Sequence, residues 1–143
     1  MEHQWIIRIM THEDYEPVYD LWTRTPGMGM RPVDDAASRV RQFLERNTRT
    51  CFVADHAGTL AGAILSGHDG RRGYIYHAAV AEAYRGQGLG TALVSVVEQA
   101  LREQGITKIA LVAFKGNEAG NRFWEKQGFT IREDLVYRNK QIL

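Results

Sequence analysis

The chain contains little that could cross-link it, bind a metal through sulfur or hold it in a membrane. Among its 143 residues there is one cysteine, Cys51, which excludes an internal disulfide and a metal site built on several cysteines. We interpret Cys51 as a small buried apolar residue on a strand. No apolar run approaches the length of a transmembrane helix, and the N-terminal residues lack the order of a signal peptide. We therefore expect a soluble cytoplasmic protein that needs no metal.

The chain also lacks a large excess of positive or negative charge, because its formal net charge is only +1. Such a chain has no overall field that would attract nucleic acid or an anionic membrane, and we expect neither as a partner. The local groups of basic residues are explained more simply as solvated surface; they are Arg71 with Arg72, and Arg39, Arg41 and Arg46. The length and a hydrophobic content of 44% predict a single domain, residues 1–143, with one core.

What the chain does contain is an alternation of strand-like and helix-like patterns, which predicts an α+β fold. The predicted strands are residues 5–10, 50–55, 59–68, 74–80, 108–114, 129–133 and 135–140. The predicted helices begin at a capping box of Thr11 and Asp14, at Asp34 or Asp35, at the glycines before Leu89, and at Asn117. The predicted order is β-α-α-β-β-β-α-β-α-β-β, a mixed and mostly antiparallel central sheet with helices on both faces.

The most informative segment is YRGQGLG, residues 84–90, where a strand pattern gives way to a helix pattern. A helix N-terminus offers free N–H groups to an anion, and glycines let the backbone approach it closely. Arg85 adds a charged group that suits phosphate oxygens. The alternative is a tight turn whose glycines serve only sterics. Neither common phosphate loop fits, because Thr91 rather than lysine follows Gly90, and Leu93 stands where the dinucleotide fingerprint needs glycine.

Two motifs in this part of the chain resemble those of the GCN5-related N-acetyltransferase (GNAT) family. Arg85, Gly88 and Gly90 match its R-x-x-G-x-G loop, and NEAGNRFWEKQGF at residues 117–129 resembles its N-x-x-A-x-x-x-Y-E-K-x-G-F segment. The resemblance implies a GNAT-like fold and acetyl-CoA as cosubstrate, with the pyrophosphate bound by backbone N–H groups of the loop. It also implies transfer of the acetyl group to a primary amine by direct attack in a ternary complex.

The resemblance further implies how the rest of the coenzyme binds. In the family the strand before the loop is bulged and splayed from the next strand. The pantetheine arm then lies in the cleft like an added strand along residues 78–81, where free N–H groups could also stabilise the oxyanion. The implied coenzyme-binding residues are Ala78, Val80, Arg85, Gly86, Gln87, Gly88, Leu89, Gly90, Thr91, Asn117 and Trp124. Asn117 has an alternative role as the cap of the helix that follows it.

The catalytic groups are a set of alternatives, because the family's usual tyrosine acid is replaced by Trp124. Indole cannot serve as a Brønsted acid near neutral pH. His77 is the candidate base, since histidine titrates near neutrality, although a structural hydrogen bond is the other interpretation. Tyr76 and Tyr137 are the remaining catalytic candidates. Strict alternation along the strand predicts Tyr76 on one sheet face and His77 on the other.

The sequence defines the acceptor least. The resemblance implies an amine of a small molecule or a peptide, held against residues 22–32 with Met28, Met30 and Arg31 in the wall. A homodimer is possible, because relatives often dimerise. The replacement by Trp124 also permits a non-catalytic acyl-CoA-binding module, and the glycine loop alone permits a nucleotide-binding protein.

Overall fold

A five-stranded sheet forms the centre of the computed structural model, which describes residues 5–143. Its strands are β1 (Ile6–Ile9), β2 (Phe52–His56), β3 (Thr59–His68), β4 (Gly73–Val80) and β5 (Ile109–Ala110). They lie side by side in chain order. The first four are antiparallel neighbours, and β4 pairs with β5 in parallel. This arrangement confirms the predicted α+β fold with a mixed, mostly antiparallel sheet.

Helices cover both faces of this sheet. They are α1 (Tyr15–Thr23), α2 (Pro32–Asp35), α3 (Ala37–Arg46), α4 (Leu89–Glu103) and α5 (Glu118–Lys126). The first begins after a 3-10 turn in which the Thr11 N–H donates to Asp14 Oδ2 at 2.9 Å, the predicted capping contact. The predicted second helix is divided into α2 and α3, because Ala36 has extended backbone with φ −65° and ψ 153°.

Each sheet face carries its own apolar core. Between α4 and the sheet the buried residues include Ile64, Ile75, Leu89, Leu93, Val94, Val97 and Leu101. Between α1, α3 and the sheet they include Val18, Leu21, Trp22, Val40, Leu44, Val53 and Leu65. Burial of one such side chain stabilises the fold by about 1.5–3 kcal/mol. The two cores therefore hold β3 and β4 firmly between helices on both sides.

Cys51 lies in the second of these cores, one residue before β2, and only 1% of it is exposed. Its thiol donates to the Ser66 carbonyl oxygen at 3.1 Å. Burial raises the pKa of this thiol to about 12, since a low-dielectric surrounding disfavours the thiolate. The interpretation of Cys51 as a small buried residue is confirmed, and its position is just outside the strand.

The C-terminal part of the predicted sheet does not form. β5 is two residues long instead of covering residues 108–114, and residues 129–133 and 135–140 lie in no strand. The apolar side chains that suggested these strands are largely exposed, among them Val112, Phe114, Ile131, Leu135 and Val136. Strand propensity is expressed only where a neighbouring strand and a buried face are present, and after Ala110 the chain leaves β4.

A bulge in β4 overturns the predicted alternation along this strand. His77 pairs with Leu65 and Ile75 pairs with Ser66, so Tyr76 is an extra residue without a partner on β3. Tyr76 contacts Phe43 of α3, and His77 contacts Trp22 of α1. Both side chains therefore lie on the α1–α3 face, whereas alternation placed them on opposite faces. A bulge of this kind re-aims side chains by one position.

Candidate active site

The glycine loop leaves the first turn of α4 without internal partners. Gly88 is the N-cap, with φ 85° and ψ 7°, and it offers no side chain as a cap. The first helical hydrogen bond runs from the Ala92 N–H to the Gly88 carbonyl oxygen at 3.0 Å. The N–H groups of Leu89, Gly90 and Thr91 therefore precede any helical acceptor. These N–H groups and the helix dipole are features that suit an anion.

The three glycines of the loop have two different physical roles. Gly86 and Gly88 have φ of 76° and 85°, and a Cβ on either would meet only open space. Their role is conformational, since side chains rarely adopt this backbone region. A Cβ on Gly90, by contrast, would lie 3.0 Å from Cε1 of Phe123 in α5. Gly90 therefore allows α5 to pack closely against the start of α4.

Polar side chains around the loop fix it to its neighbours. Arg85 donates from Nε to the Val80 carbonyl oxygen at 3.0 Å, which folds its side chain back onto the end of β4. Gln87 makes a longer contact with the Ala83 carbonyl oxygen at 3.4 Å. The Thr91 hydroxyl accepts from Gln127 Nε2 at 2.9 Å and so joins the end of α5 to the start of α4.

A contact between Tyr84 and His56 anchors the approach to the loop. The Tyr84 hydroxyl lies 2.8 Å from His56 Nδ1, and the two rings meet edge to face at 5.7 Å. His56 ends β2, so this contact ties the loop to the far side of the β2–β3 turn. The sequence motif gave no sign of it, because the two residues are 28 positions apart.

One edge of β4 is open beside the loop. Pairing between β4 and β5 ends at Tyr74 with Ala110. The Ala81 N–H donates to the Ala61 carbonyl oxygen on β3 at 2.8 Å. Since backbone groups alternate in direction along a strand, those of Val80 and Ala78 point the other way, toward the space between β4 and β5. This space, the cleft, runs along the end of β4 just before the glycine loop.

The start of α5 borders the same region, and the polar side chain at this start, Asn117, already caps the helix. Asn117 Oδ1 accepts the Gly120 N–H at 3.1 Å as the cap of α5. Its amide also lies against Gly27 in the loop after α1, where an added Cβ would come within 2.6 Å of Nδ2. Trp124 packs edge to face with Phe123 at 4.9 Å and with Phe129 at 5.4 Å. Its ring is thus part of the apolar cluster under α4 and α5.

A buried histidine–carboxylate pair lies on the other face of β4. His77 Nε2 is 2.9 Å from Asp35 Oδ1, and the two side chains are 11% and 8% exposed. The other oxygen, Asp35 Oδ2, accepts the Arg31 N–H at 2.7 Å, and the Tyr15 hydroxyl donates to the Asp35 carbonyl oxygen at 2.6 Å. The Trp22 ring holds the imidazole from the side, with ring centroids 4.7 Å apart.

Asp35 is the site residue that the sequence did not identify. It was considered only as a possible helix cap, and its partner is 42 residues away. In the structure it ends α2, just before the extended residue Ala36, and its side chain is buried. A buried carboxylate held by the Arg31 N–H orients the imidazole and favours hydrogen on Nε2, which leaves the Nδ1 lone pair available.

Tyrosines surround the mouth of the cleft on this face. The rings of Tyr74 and Tyr76 are 4.6 Å apart, and Phe43 meets Tyr76 edge to face at 5.2 Å. Burial and the charges of Tyr137 and Tyr76 raise the pKa of Tyr74. Burial, then Asp69 and Tyr137, raise the pKa of Tyr76. These effects indicate that Tyr137 lies near Tyr74 and Tyr76, although Tyr137 lies in no strand.

Other kinds of site have less support in the part of the chain that the structure describes. Residues 5–143 contain no group of three or more histidine, cysteine, aspartate or glutamate side chains arranged to hold a metal ion. Within the same residues, the helices are too short or too polar to cross a bilayer.

Comparison with known proteins gives a consistent picture. The sequence model of the acetyltransferase (GNAT) family matches residues 5–129. A protein of Sodalis glossinidius named as an acetyltransferase is 32% identical over 137 residues, which cover 96% of this chain and 95% of that protein.

Solved structures agree with this in their fold. Ard1 from Thermoplasma volcanium aligns with a TM-score of 0.77 at 26% identity, covering 91% of this chain and 85% of that one. The PaiA N-acetyltransferase of Thermoplasma acidophilum, solved in complex with coenzyme A, aligns with a TM-score of 0.79 at 18% identity and 92% coverage of both chains.

Proposed function

The chain belongs to the GNAT family of acetyltransferases, and on this premise we propose that it transfers the acetyl group of acetyl-CoA to a primary amine. The acceptor is a small molecule or a peptide, and it attacks the thioester while both substrates are bound. The observation that carries the proposal is the cleft, in which the open edge of β4 at Ala78 and Val80 leads into the open start of α4.

The residues of the cleft fit the two polar parts of acetyl-CoA. The N–H groups of Leu89, Gly90 and Thr91 suit the pyrophosphate, and Arg85 adds positive charge beside them. The backbone groups of Ala78 and the N–H of Val80 suit the amides of the pantetheine arm, which binds in the manner of a strand. An N–H group at this edge also suits the thioester carbonyl oxygen as it gains negative charge. The names of the solved relatives, N-acetyltransferase and a coenzyme A complex among them, agree with this assignment.

His77 is proposed as the general base, and Asp35 as the residue that positions it. Asp35 can only accept a hydrogen bond while it is ionised, so His77 Nε2 carries the hydrogen and Nδ1 receives the proton. The amine reaches the site largely protonated, because alkylammonium groups have a reference pKa of about 10.4. A positioned base contributes typically about 10²- to 10⁴-fold to the rate.

The proposed reaction balances without an external reagent. The ammonium group first gives one proton to His77 Nδ1, directly or through a water molecule, and this proton passes on to solvent. The free amine nitrogen then forms a bond to the thioester carbon, and a second proton of that nitrogen passes to the imidazole. The C–S bond then breaks, and the electron pair leaves with sulfur as the CoA thiolate. The thiolate takes up a proton from the imidazolium or from solvent. Because a free thiol has a pKa of about 8.5, the reaction proceeds without the acid that Trp124 replaces.

A second candidate function is a non-catalytic acyl-CoA-binding module, and Trp124 is the observation in its favour. The indole stands where the family motif has tyrosine, and it packs against Phe123 and Phe129. This function predicts binding of acetyl-CoA without release of CoA in the presence of any amine.

The first experiment measures binding. Titration calorimetry with acetyl-CoA, CoA, ATP and NAD should show saturable binding of the two CoA compounds only. Binding of ATP or NAD instead would overturn the acetyltransferase function and favour a nucleotide site. The absence of acetyl-CoA binding would also overturn it and favour a simple turn.

The second experiment measures turnover with an amine panel and three variants. Asp35→Asn and His77→Asn should lower kcat by about 10²-fold or more, since each removes the oriented base. Affinity for acetyl-CoA should change little, because neither side chain touches the glycine loop. His68→Asn is the matched control. His68 Nε2 lies 2.8 Å from Gln104 Oε1, and this pair is not part of the cleft. Wild-type kcat in the His77 variant would exclude the base role.

A further inference from the structure

The exposed ring of Tyr76 is held as a platform beside the cleft. Tyr76 is the extra residue of the β4 bulge, and 53% of it is exposed. Tyr74 lies against it at 4.6 Å, and Phe43 meets it edge to face at 5.2 Å. An exposed aromatic ring normally has freedom to reorient, but two neighbouring rings restrict this one and leave part of its surface open to solvent.

The position of this platform relates it to the reacting groups. Tyr76 precedes His77 and lies on the same face of β4 as the His77–Asp35 pair. Two residues further on, the backbone of Ala78 faces the cleft. Tyr137, itself 67% exposed, contributes to the raised pKa of both Tyr74 and Tyr76. The open surface is therefore adjacent to where an acceptor would approach the thioester.

Three of the carboxylates on α1 and α2 are engaged in ion pairs. Asp20 pairs with Arg24 at 2.9 Å, Asp34 pairs with Arg31 at 2.7 Å, and Asp35 is bound to His77. A polycationic acceptor would have to compete with these partners, one after another, for its counter-charges.

Asp69 is the carboxylate that contributes to the raised pKa of Tyr76, after burial, and its surroundings are basic. It accepts the backbone N–H groups of Arg71 and Arg72 at 2.8 and 2.9 Å. Both arginine side chains are exposed at the same turn. Their positive charges offset that of Asp69, so this end of the cleft does not attract a second ammonium group.

We propose that the acceptor is a monoamine whose nitrogen is carried on an aromatic group, and that this group stacks on Tyr76. The inference rests on the proposed acetyl transfer and names its substrate class. Aromatic pairs gain about 0.5–1.5 kcal/mol beyond the burial of their area, and a platform held in advance loses little entropy on binding. Polyamines and aminoglycosides lack the ring and carry several positive charges, so they are poor acceptors for this site.

Release of CoA from acetyl-CoA, measured with four amines at matched concentrations, tests the substrate class. 2-Phenylethylamine should exceed ethylamine in kcat/KM by at least tenfold, since the two differ only in the ring. It should exceed spermidine and kanamycin by a similar factor. Equal values for 2-phenylethylamine and ethylamine, or a preference for either polycation, would overturn the inference.

Two substitutions at one position separate stacking from the chemistry of the hydroxyl. Tyr76→Phe keeps the ring, so its KM for 2-phenylethylamine should stay within about threefold of wild type. Tyr76→Ala should raise this KM about tenfold, because the stacking surface is lost. A collapse of kcat in Tyr76→Phe would instead show that the hydroxyl acts in catalysis and would contradict the platform.

Binding of the product tests the same site without turnover. In the presence of CoA, N-acetyl-2-phenylethylamine should receive saturation from the wild-type protein in a saturation-transfer NMR experiment, and Tyr76→Ala should abolish the effect. If acetyl-CoA binds by calorimetry but the product shows no transfer, the aromatic subsite is refuted and the coenzyme site stands. If acetyl-CoA does not bind, the proposed function itself fails.

Discussion

Two helices begin at the cleft, and they differ in whether a side chain accepts hydrogen bonds from the N–H groups of the first turn. α4 starts after Gly88, which has no side chain to offer, and its leading N–H groups have no helical acceptor. α5 starts after Asn117, whose Oδ1 accepts the Gly120 N–H at 3.1 Å. The two starts are close together, since Phe123 of α5 packs on Gly90 of α4.

A side-chain cap and an anionic ligand use the same N–H groups, so the proposed coenzyme site requires a helix start without a side-chain cap, as in α4. A capped helix start gains stability from its own sequence, and an uncapped one reserves its N–H groups for another molecule. Both starts lie in motifs of the family, so the motif alone does not tell which of them binds coenzyme through its first turn. Four substitutions test this distinction.

Gly88→Asp should have the largest effect, since it places a negative charge where the pyrophosphate is expected. Like charges held together cost several kcal/mol, so affinity for acetyl-CoA should fall about 100-fold or more in calorimetry. Gly88→Asn is the matched control, because asparagine has the same shape and also tolerates positive φ. If the two variants lose affinity equally, geometry rather than charge governs the site.

Gly90→Ala should act on stability more than on the ligand. The added methyl would lie 3.0 Å from the Phe123 ring, and such overpacking costs about 1–3 kcal/mol. Urea unfolding measures the loss. The double variant with Phe123→Leu should recover part of it, whereas strictly additive losses would show that the contact with Phe123 is not the cause.

Arg85→Ala should weaken acetyl-CoA binding by about tenfold, the effect of one charge-assisted contact. Arg85→Lys should fall between this variant and wild type, since it keeps the charge but loses the hold of Nε on the Val80 carbonyl oxygen. Binding measured at two salt concentrations should show a weaker salt dependence in Arg85→Ala than in Arg85→Lys. Identical salt dependence would place the arginine charge away from the phosphates.

Asn117→Ala should produce the smallest change at the ligand and a clear change in the fold. Loss of the cap costs about 1 kcal/mol in unfolding free energy, and Asn117→Asp should restore it. Affinity for acetyl-CoA should stay within about twofold of wild type. A tenfold loss of affinity would show that the Asn117 side chain binds the coenzyme, and that the two helix starts do not differ in the way described above.

Features that depend on neighbouring residues were predictable from the sequence. The start of α4 follows from its glycines, and the hairpin between β2 and β3 follows from the turn at Ala57 and Gly58, with φ of 49° and 82°. The cap of α5 by Asn117 was foreseen as one of two roles. Each of these signals is contained within a few residues, where backbone preference decides the outcome.

Features that depend on distant residues were not predictable. The face that Tyr76 presents is decided by the register of β4 against β3, and alternation alone gave the wrong face. Asp35 contacts His77 from a position 42 residues earlier in the chain, and no local pattern around either residue predicts this pairing. The expected strands after α5 had suitable side chains, but no strand in the described residues pairs with them.

Because Cys51 is buried, the folded chain reacts very slowly with disulfide reagents. Such reagents are attacked by thiolates, and a thiol pKa of about 12 leaves almost none near neutral pH. A disulfide dye added to a transfer reaction therefore counts released CoA without background from the chain, which has one cysteine. Any slower rise, up to one equivalent per chain, reports molecules that have opened, so a single trace records both turnover and loss of fold.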